Sequence, residues 1–246
     1  MRYALMRPPQ IRAAIEANLP VVLPLGVLEY HGEHLPVGMD TLAVECILER
    51  LEAERDLVLL PPFYYGAASF AVAAPEGSGS VQVDGMRLAR FAEDLFLSLL
   101  RIGFRNIHAV IHHQTENFQQ GMPTDLAFRL GGRQAVFRHL EATRGEGWWG
   151  KSDSADYYAG HAQGDNPFNW VQVHPLMDAE VMAAFHFDHA GLGETSLMRA
   201  LCPDSVDMTA LDQSRTWYVE GAEAATPEEG ERGVTLILNR LRKLIV

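Results

Sequence analysis

Two rhythms of apolar and polar residues alternate along the chain. Short continuous apolar runs at Val21–Leu25 and Leu57–Leu60, the second stopped by Pro61 and Pro62, read as strands buried on both faces. Between them, Leu42, Val44, Ile47, Leu48 and Leu51 recur at helical spacing, predicting a helix over 40–55 with Asp40 or Thr41 as its N-cap. A short helix over 8–18 begins near a pair of prolines. Residues 84–102 predict a longer helix stopped by Gly103, and residues 106–112 a third strand. Strands alternating with helices in this way predict βαβ units and a parallel sheet.

Other stretches show weaker patterns. Residues 62–83 are rich in Gly, Ala, Ser and Pro without a period, which predicts a functional loop. Residues 125–142 are compatible with a helix despite Gly131 and Gly132, and residues 145–170 read as an elaborated aromatic, glycine-rich loop region. Short helices are expected over 179–185 and 194–201, and a final amphipathic one over 228–244. No internal repeat or linker interrupts the chain, so residues 1–246 are expected to form a single domain.

Composition narrows the function classes. The chain is 48% hydrophobic and 21% charged, as globular proteins are, and its formal net charge of −12 argues against a nucleic-acid or anionic-membrane partner. Two cysteines, Cys46 and Cys202, are too few for a disulfide framework or a thiolate zinc site, and Cys46 reads as core. No signal-like segment stands at the N-terminus, and no run of about eighteen apolar residues exists to span a membrane, so the expected address is cytoplasmic.

The chemistry concentrates after the first strand. Within Pro24–Asp40 stand Glu29, His31, Glu33, His34 and Asp40, an unusual density of metal-capable side chains. Glu29 and His31 share one face in extended chain, and the turns at Gly32 and Pro36–Gly38 bring Asp40 back toward them. A second loaded segment, His112–Asn117, follows the third strand. In parallel sheets the site lies at the carboxyl ends of the strands, where both segments fall.

The string E-x-H-G-x-H-L-P-x-x-x-D at Glu29–Asp40, following P-L-G, resembles the signature of the creatininase family of metal-dependent amidohydrolases. HHQTEN at His112–Asn117 is similar to the family's N-G-H-x-E/G-N segment, with Glu116 at the ligand Glu and Gln114 where a ligand His belongs. An amide oxygen is a weaker ligand than imidazole, and His113 is the alternative if the backbone shifts. Asp188-His189-Ala190-Gly191 with Glu194-Thr195-Ser196 resembles the family's (E/D)-H-A-G-x-x-E-T-S segment, where the acid–His pair supports proton transfer.

The resemblance implies a three-layer α/β/α sandwich with a mostly parallel central sheet. It implies one or two divalent ions, zinc or manganese, on Glu29, His31, Asp40, Glu116 and Gln114. An activated water would attack a carbonyl carbon, and His189, oriented by Asp188 or Glu194, would carry the proton to the leaving group. The implied reaction is amide C–N hydrolysis in a small cyclic molecule, with ring opening of an oxidised cyclitol, a C–C cleavage, as the alternative. A metal-poor binding homologue that has lost catalysis at Gln114 is the reading from a different class. An aromatic residue stacking on substrate would be Trp148 or Trp149, and the family's members imply a homo-oligomer, a hexamer among them.

Overall fold

The computed structural model describes residues 1–155, 157–162 and 166–246. Four strands form one parallel sheet in the order β2-β1-β3-β4, with β1 at Val21–Leu25, β2 at Val58–Leu59, β3 at Ile107–Ile111 and β4 at Val171–Pro175. The register runs Val21 to Ile107 through Leu25 to Ile111 between β1 and β3, and Ile107 to Val171 through Ile111 to Pro175 between β3 and β4. Eight α-helices are described: α1 (Pro8–Glu16), α2 (Met39–Glu52), α3 (Gly85–Ile102), α4 (Pro123–Arg144), α5 (Tyr157–Ala162), α6 (Ala179–Ala184), α7 (Leu192–Leu201) and α8 (Pro227–Leu244).

Alternation along the central strands sorts the core into two layers. Val22 and Val110 face the apolar side of α2, α7 and α8, including Ile47, Leu48, Leu197, Ile237 and Leu241. Val21, Leu23, Leu25, Ala109 and Ile111 face the opposite side, against Phe96 and Leu100 of α3 and Phe128 and Val136 of α4. Because β1 and β3 are covered on both sides, β1 reads as an unbroken apolar run and β3 as one interrupted only by His108. The result is the expected α/β/α sandwich.

The edge strand β4 and the N-cap of α2 differ from the sequence reading. β4, which the sequence reading does not predict, begins directly after the region expected to be irregular: Val171 and His174 are buried and Gln172, Val173 and Pro175 half-buried, so no continuous apolar run betrays the strand. The helix α4 continues through Gly131 and Gly132, where a Cβ would stand 2.6 Å from that of Ala92 and 2.7 Å from Val171 Cγ1. These glycines let α4 approach α3 and the sheet closely. Helix α2 has Gly38 as its N-cap. Neither Asp40 nor Thr41 caps it, because Thr41 is turned to the Val27 carbonyl at 3.3 Å and Asp40 into a buried polar cluster. Among the described residues no helix is long and apolar enough to cross a membrane.

Candidate metal centre

At the carboxyl end of β1, the chain must turn sharply to begin α2 above the sheet. A Cβ on Gly26 would lie 2.4 Å from Thr41 Oγ1, so only glycine lets the start of α2 sit against the strand end. The loop between is fixed by Glu29 N–H donating to the Val37 carbonyl at 2.8 Å and Tyr30 N–H donating to Ser80 Oγ at 3.0 Å. Glu29, His31 and Asp40, each at most 2% exposed, thereby meet below the surface.

His31 Nδ1–H donates to the Glu29 carbonyl at 2.9 Å, which leaves Nε2 as the lone-pair nitrogen. That atom faces Asp40 Oδ2 at 3.6 Å and Glu194 Oε2 at 3.5 Å. On the other side of Asp40, His113 Nδ1 lies 3.7 Å from the same Oδ2 and 3.4 Å from Glu29 Oε2. Three compact donor sets result: Glu29–Asp40–His113 and His31–Asp40–Glu194, which share Asp40, and Glu29–His31–His189. The members of the first two are all buried, whereas His189 in the third is half-buried.

Glu194 is held from two directions. His112 Nε2–H donates to its Oε1 at 2.9 Å, and Ala190 N–H donates to its Oε2 at 2.7 Å, with Ala190 in the left-handed region at φ 56°. Burial opposes the charge on Glu194, but His31 and His112 outweigh it and pull the carboxyl down to about 2. Burial likewise opposes protonation of His113, and the carboxylates of Asp40 and Glu29 push it up to about 10. His31 and His112 are raised for the same reason, with Asp40 and Glu194 acting on the first and Glu194 on the second.

The cluster contains buried polar atoms without partners: Glu29 Oε1, His31 Nε2, Asp40 Oδ2 and His113 Nε2. Leaving such groups buried and unpaired is costly, so a cluster of converging carboxylates and imidazoles fits a divalent cation. The donor set of nitrogen and oxygen suits zinc or manganese better than a soft-metal thiolate site would.

The second motif is placed differently from the sequence expectation. Gln114 adopts the left-handed conformation at φ 49°, and a 3-10 turn follows at Thr115–Asn117. This rotates the chain off the line of β3, so residues 112, 114 and 116 no longer share a face. His112 and His113 enter the cluster, whereas Gln114 stands beside it on the cavity wall. Glu116 is exposed, accepts from Asn117 Nδ2 at 3.2 Å, and belongs to none of the donor sets. Gln114 and Glu116, the expected ligands, thus stand outside these sets, which instead include His113 and Glu194.

His189 and Asp188 also separate in role. His189 Nε2–H donates to the Tyr30 carbonyl at 3.0 Å, and its ring lies 4.3 Å from that of His31 and edge-on to Tyr218 at 4.9 Å. Its orientation therefore comes from Tyr30 and these rings, not from a hydrogen bond to Asp188 or Glu194. Asp188 instead accepts from Gly193 N–H at 2.7 Å and Glu194 N–H at 3.1 Å, closing the N-terminus of α7. Burial and the nearby Glu194 charge raise its carboxyl. His34 supports the same turn, its Nε2–H donating to Thr195 Oγ1 at 2.9 Å, while Glu33 faces solvent and accepts from Tyr30 Oη.

A cavity of about 300 Å³ opens onto the cluster. Val72, Gln114, Glu116, Phe187 and His189 line it together with Glu29, Asp40, His113, Asp188 and Glu194. Trp148 and Trp149 do not. Trp148 packs into the core under Arg144, and Trp149 is half exposed against Tyr157 and Tyr158. Of the histidines without motif context, His108 and His174 pair with each other at 2.9 Å in the sheet and His139 meets Arg105 at 3.1 Å. The side chain of His161 lies outside the described residues. Sequence reasoning missed His112 as a support, Val72, Phe187 and Tyr218. Only His112 carried a signal, by adjacency to His113.

An α/β/α sandwich with a buried carboxylate–imidazole cluster at the strand ends is the architecture of a metallohydrolase-like domain. The chain belongs to the creatininase family, whose profile, described as creatinine amidohydrolase, matches residues 4–245. It is 26% identical over 190 residues to the creatinine amidohydrolase of Pseudomonas putida, the match spanning 76% of this chain and 66% of that protein, just under two thirds of its length. A solved structure described as creatininase Mn shares the fold at TM-score 0.70 and 20% identity, covering 99% of this chain and 98% of that one. A mutant creatininase of Zn-Zn type does so at TM-score 0.68 and 20% identity, with the same coverage.

Proposed function

We propose that this chain is a metal-dependent hydrolase that cleaves a C–N amide bond in a small cyclic molecule. The observation that carries the reading is the set of buried, partnerless donor atoms converging beneath an open cavity. Glu29, Asp40 and His113 would hold one divalent ion, and His31, Asp40 and Glu194 a second. Zinc and manganese are the candidates, matching the Mn and Zn-Zn forms of the fold relatives. A divalent ion there would supply Lewis acidity, polarising a carbonyl and making a water acidic enough to ionise near neutral pH.

The chain's own residues supply the rest. His31 is locked in the tautomer that presents Nε2, and Glu194 is oriented by His112 and Ala190. His189, with Nε2–H committed to the Tyr30 carbonyl, has Nδ1 left to take a proton and deliver it to the leaving nitrogen. Gln114 and Glu116, on the cavity wall, are placed to accept N–H groups of a nitrogen-rich ring, and Phe187 and Val72 to cover its apolar face. A volume of about 300 Å³ suits a small molecule and not a polymer.

The test is turnover of a panel of cyclic amides, beginning with creatinine, by stripped and by zinc- or manganese-reloaded protein. Metal-dependent ring opening that Asp40→Ala abolishes is expected. Equal turnover with and without metal, or none across the panel in fully loaded protein, would overturn the reading. The family likeness further suggests a cytoplasmic homo-oligomer, which light scattering of the purified protein would check.

A further inference from the structure

Cys46 and Cys202 are the chain's two cysteines, 156 positions apart, yet their Sγ atoms stand 2.9 Å from each other. Cys46 lies on α2 and Cys202 closes α7, and both are only partly buried. Their neighbourhood is well anchored. Arg50, one turn along α2 from Cys46, donates to the Ala200 carbonyl of α7 at 3.1 Å and pairs with Glu231 of α8 at 2.7 Å. Ser205 Oγ donates to the Cys202 carbonyl at 2.7 Å and fixes the turn beyond the helix. Two thiols held in contact by clasped helices need only side-chain adjustment to reach a covalent bond.

We propose that Cys46 and Cys202 form a reversible intramolecular disulfide that fastens α2 to α7 under oxidising conditions. Cys202 is the attacking thiol. The two sulfurs share a hydrogen bond that either can donate; with Cys46 as its donor the bond favours the Cys202 thiolate and, together with burial, disfavours that of Cys46. The Cys202 thiolate attacks one sulfur of a small disulfide such as oxidised glutathione, whose S–S bond breaks and releases one glutathione thiolate. Cys46 then attacks the Cys202 sulfur of the mixed disulfide and releases the second. The two protein thiols lose two electrons and two protons, and the small disulfide gains both as two thiols.

The bond does not depend on the metal reading above, but its consequence does. Asp40 stands in the first turn of α2 and Glu194 in the first turn of α7. A cross-link between the two helices therefore ties together the elements that carry two of the proposed ligands.

The experiment incubates the full chain with oxidised glutathione, then reads intact mass, peptide mapping and thermal unfolding. Expected are loss of two hydrogens per chain, a Cys46–Cys202 cross-linked peptide, and a Tm rise of about 5–15 °C that dithiothreitol reverses. Cys46→Ser should stop at a glutathione adduct on Cys202, with no rise in Tm. Persistent free thiols, stable glutathione adducts in the unmutated chain, or disulfide-linked dimers would overturn the proposal. Slower release of metal to a chelator in the oxidised chain bears on the consequence alone.

Discussion

The support that His112 gives Glu194 allows a quantitative test of the proposed second ion site. His112 is fully buried, and its Nε2–H is one of two donors to the Glu194 carboxylate, the other being Ala190 N–H. His112→Phe keeps an aromatic ring against Phe187, which His112 now meets edge-on at 5.9 Å, but removes the donor. Loss of such an outer support weakens metal affinity about 10–100-fold, or about 1.4–2.7 kcal/mol. Because Glu194 belongs to only one donor set, one of two equivalents should weaken and the other stay unchanged. In the metal-free chain, Glu194 keeps a buried charge with Ala190 N–H and His31 as its remaining partners, and breaking a buried pair costs about 3–5 kcal/mol. That corresponds to a Tm drop of about 6–20 °C for a chain of this size. Competition with a chromogenic chelator measures the first effect, and scanning calorimetry of stripped protein the second. Adding Glu194→Gln should recover much of the metal-free loss, since the stranded charge is then gone. Two equivalents retained at unmutated affinity would refute the placement of Glu194 among the ligands.

Other expectations rest on the same geometry. With His113 raised from 6.5 to about 10, the metal-free chain should lose stability as pH climbs through that window. With Glu194 lowered from 4.5 to about 2, it should also lose stability as pH falls through that lower window. Stripped protein should therefore unfold at its highest temperature between about pH 4.5 and 6.5. Metal loading should abolish the alkaline loss and release protons, detectable by calorimetry in buffers of different ionisation enthalpy. His189→Ala should lower kcat about 10²–10⁴-fold while metal content stays unchanged, and a parallel loss of metal would assign His189 to the ligands instead. Glu116→Ala should leave metal stoichiometry intact, contrary to the expectation from motif position. Gly26→Ala forces a Cβ into Thr41 and should destabilise the chain by about 1–3 kcal/mol, read by denaturant unfolding.

Much of this arrangement was legible in the residues. Val21–Leu25 is apolar throughout, and Ile107–Ile111 apolar but for His108, because both faces of the central strands are covered, and that pattern exposes them directly. Glu29, His31 and Asp40 converge as their spacing suggests, since a glycine-bounded turn returns α2 to the strand end. The edge strand β4 is hidden because three of its five side chains, Gln172, Val173 and Pro175, are only partly covered, and the polar Gln172 and His174 break its apolar pattern.

The placement of His113, rather than Gln114, in a donor set is illegible in the sequence for a different reason. Two-residue alternation holds only while the chain is extended, and the positive φ of Gln114 ends that regime one residue after His113. Nothing in the residue types announces that turn. By sequence Glu194 reads as a supporter of His189, since its proximity to His31 arises from the packing of α7 on α2 across 163 positions of sequence.

The central claim is that five buried side chains form a centre for two divalent ions with Asp40 common to both. Metal content per chain, measured by plasma mass spectrometry on protein loaded with zinc or manganese and passed through a desalting column, tests it most directly. Two equivalents in the unmutated chain and none in Asp40→Ala is the predicted result. Two equivalents surviving Asp40→Ala, or no metal retained by the unmutated chain, would contradict it.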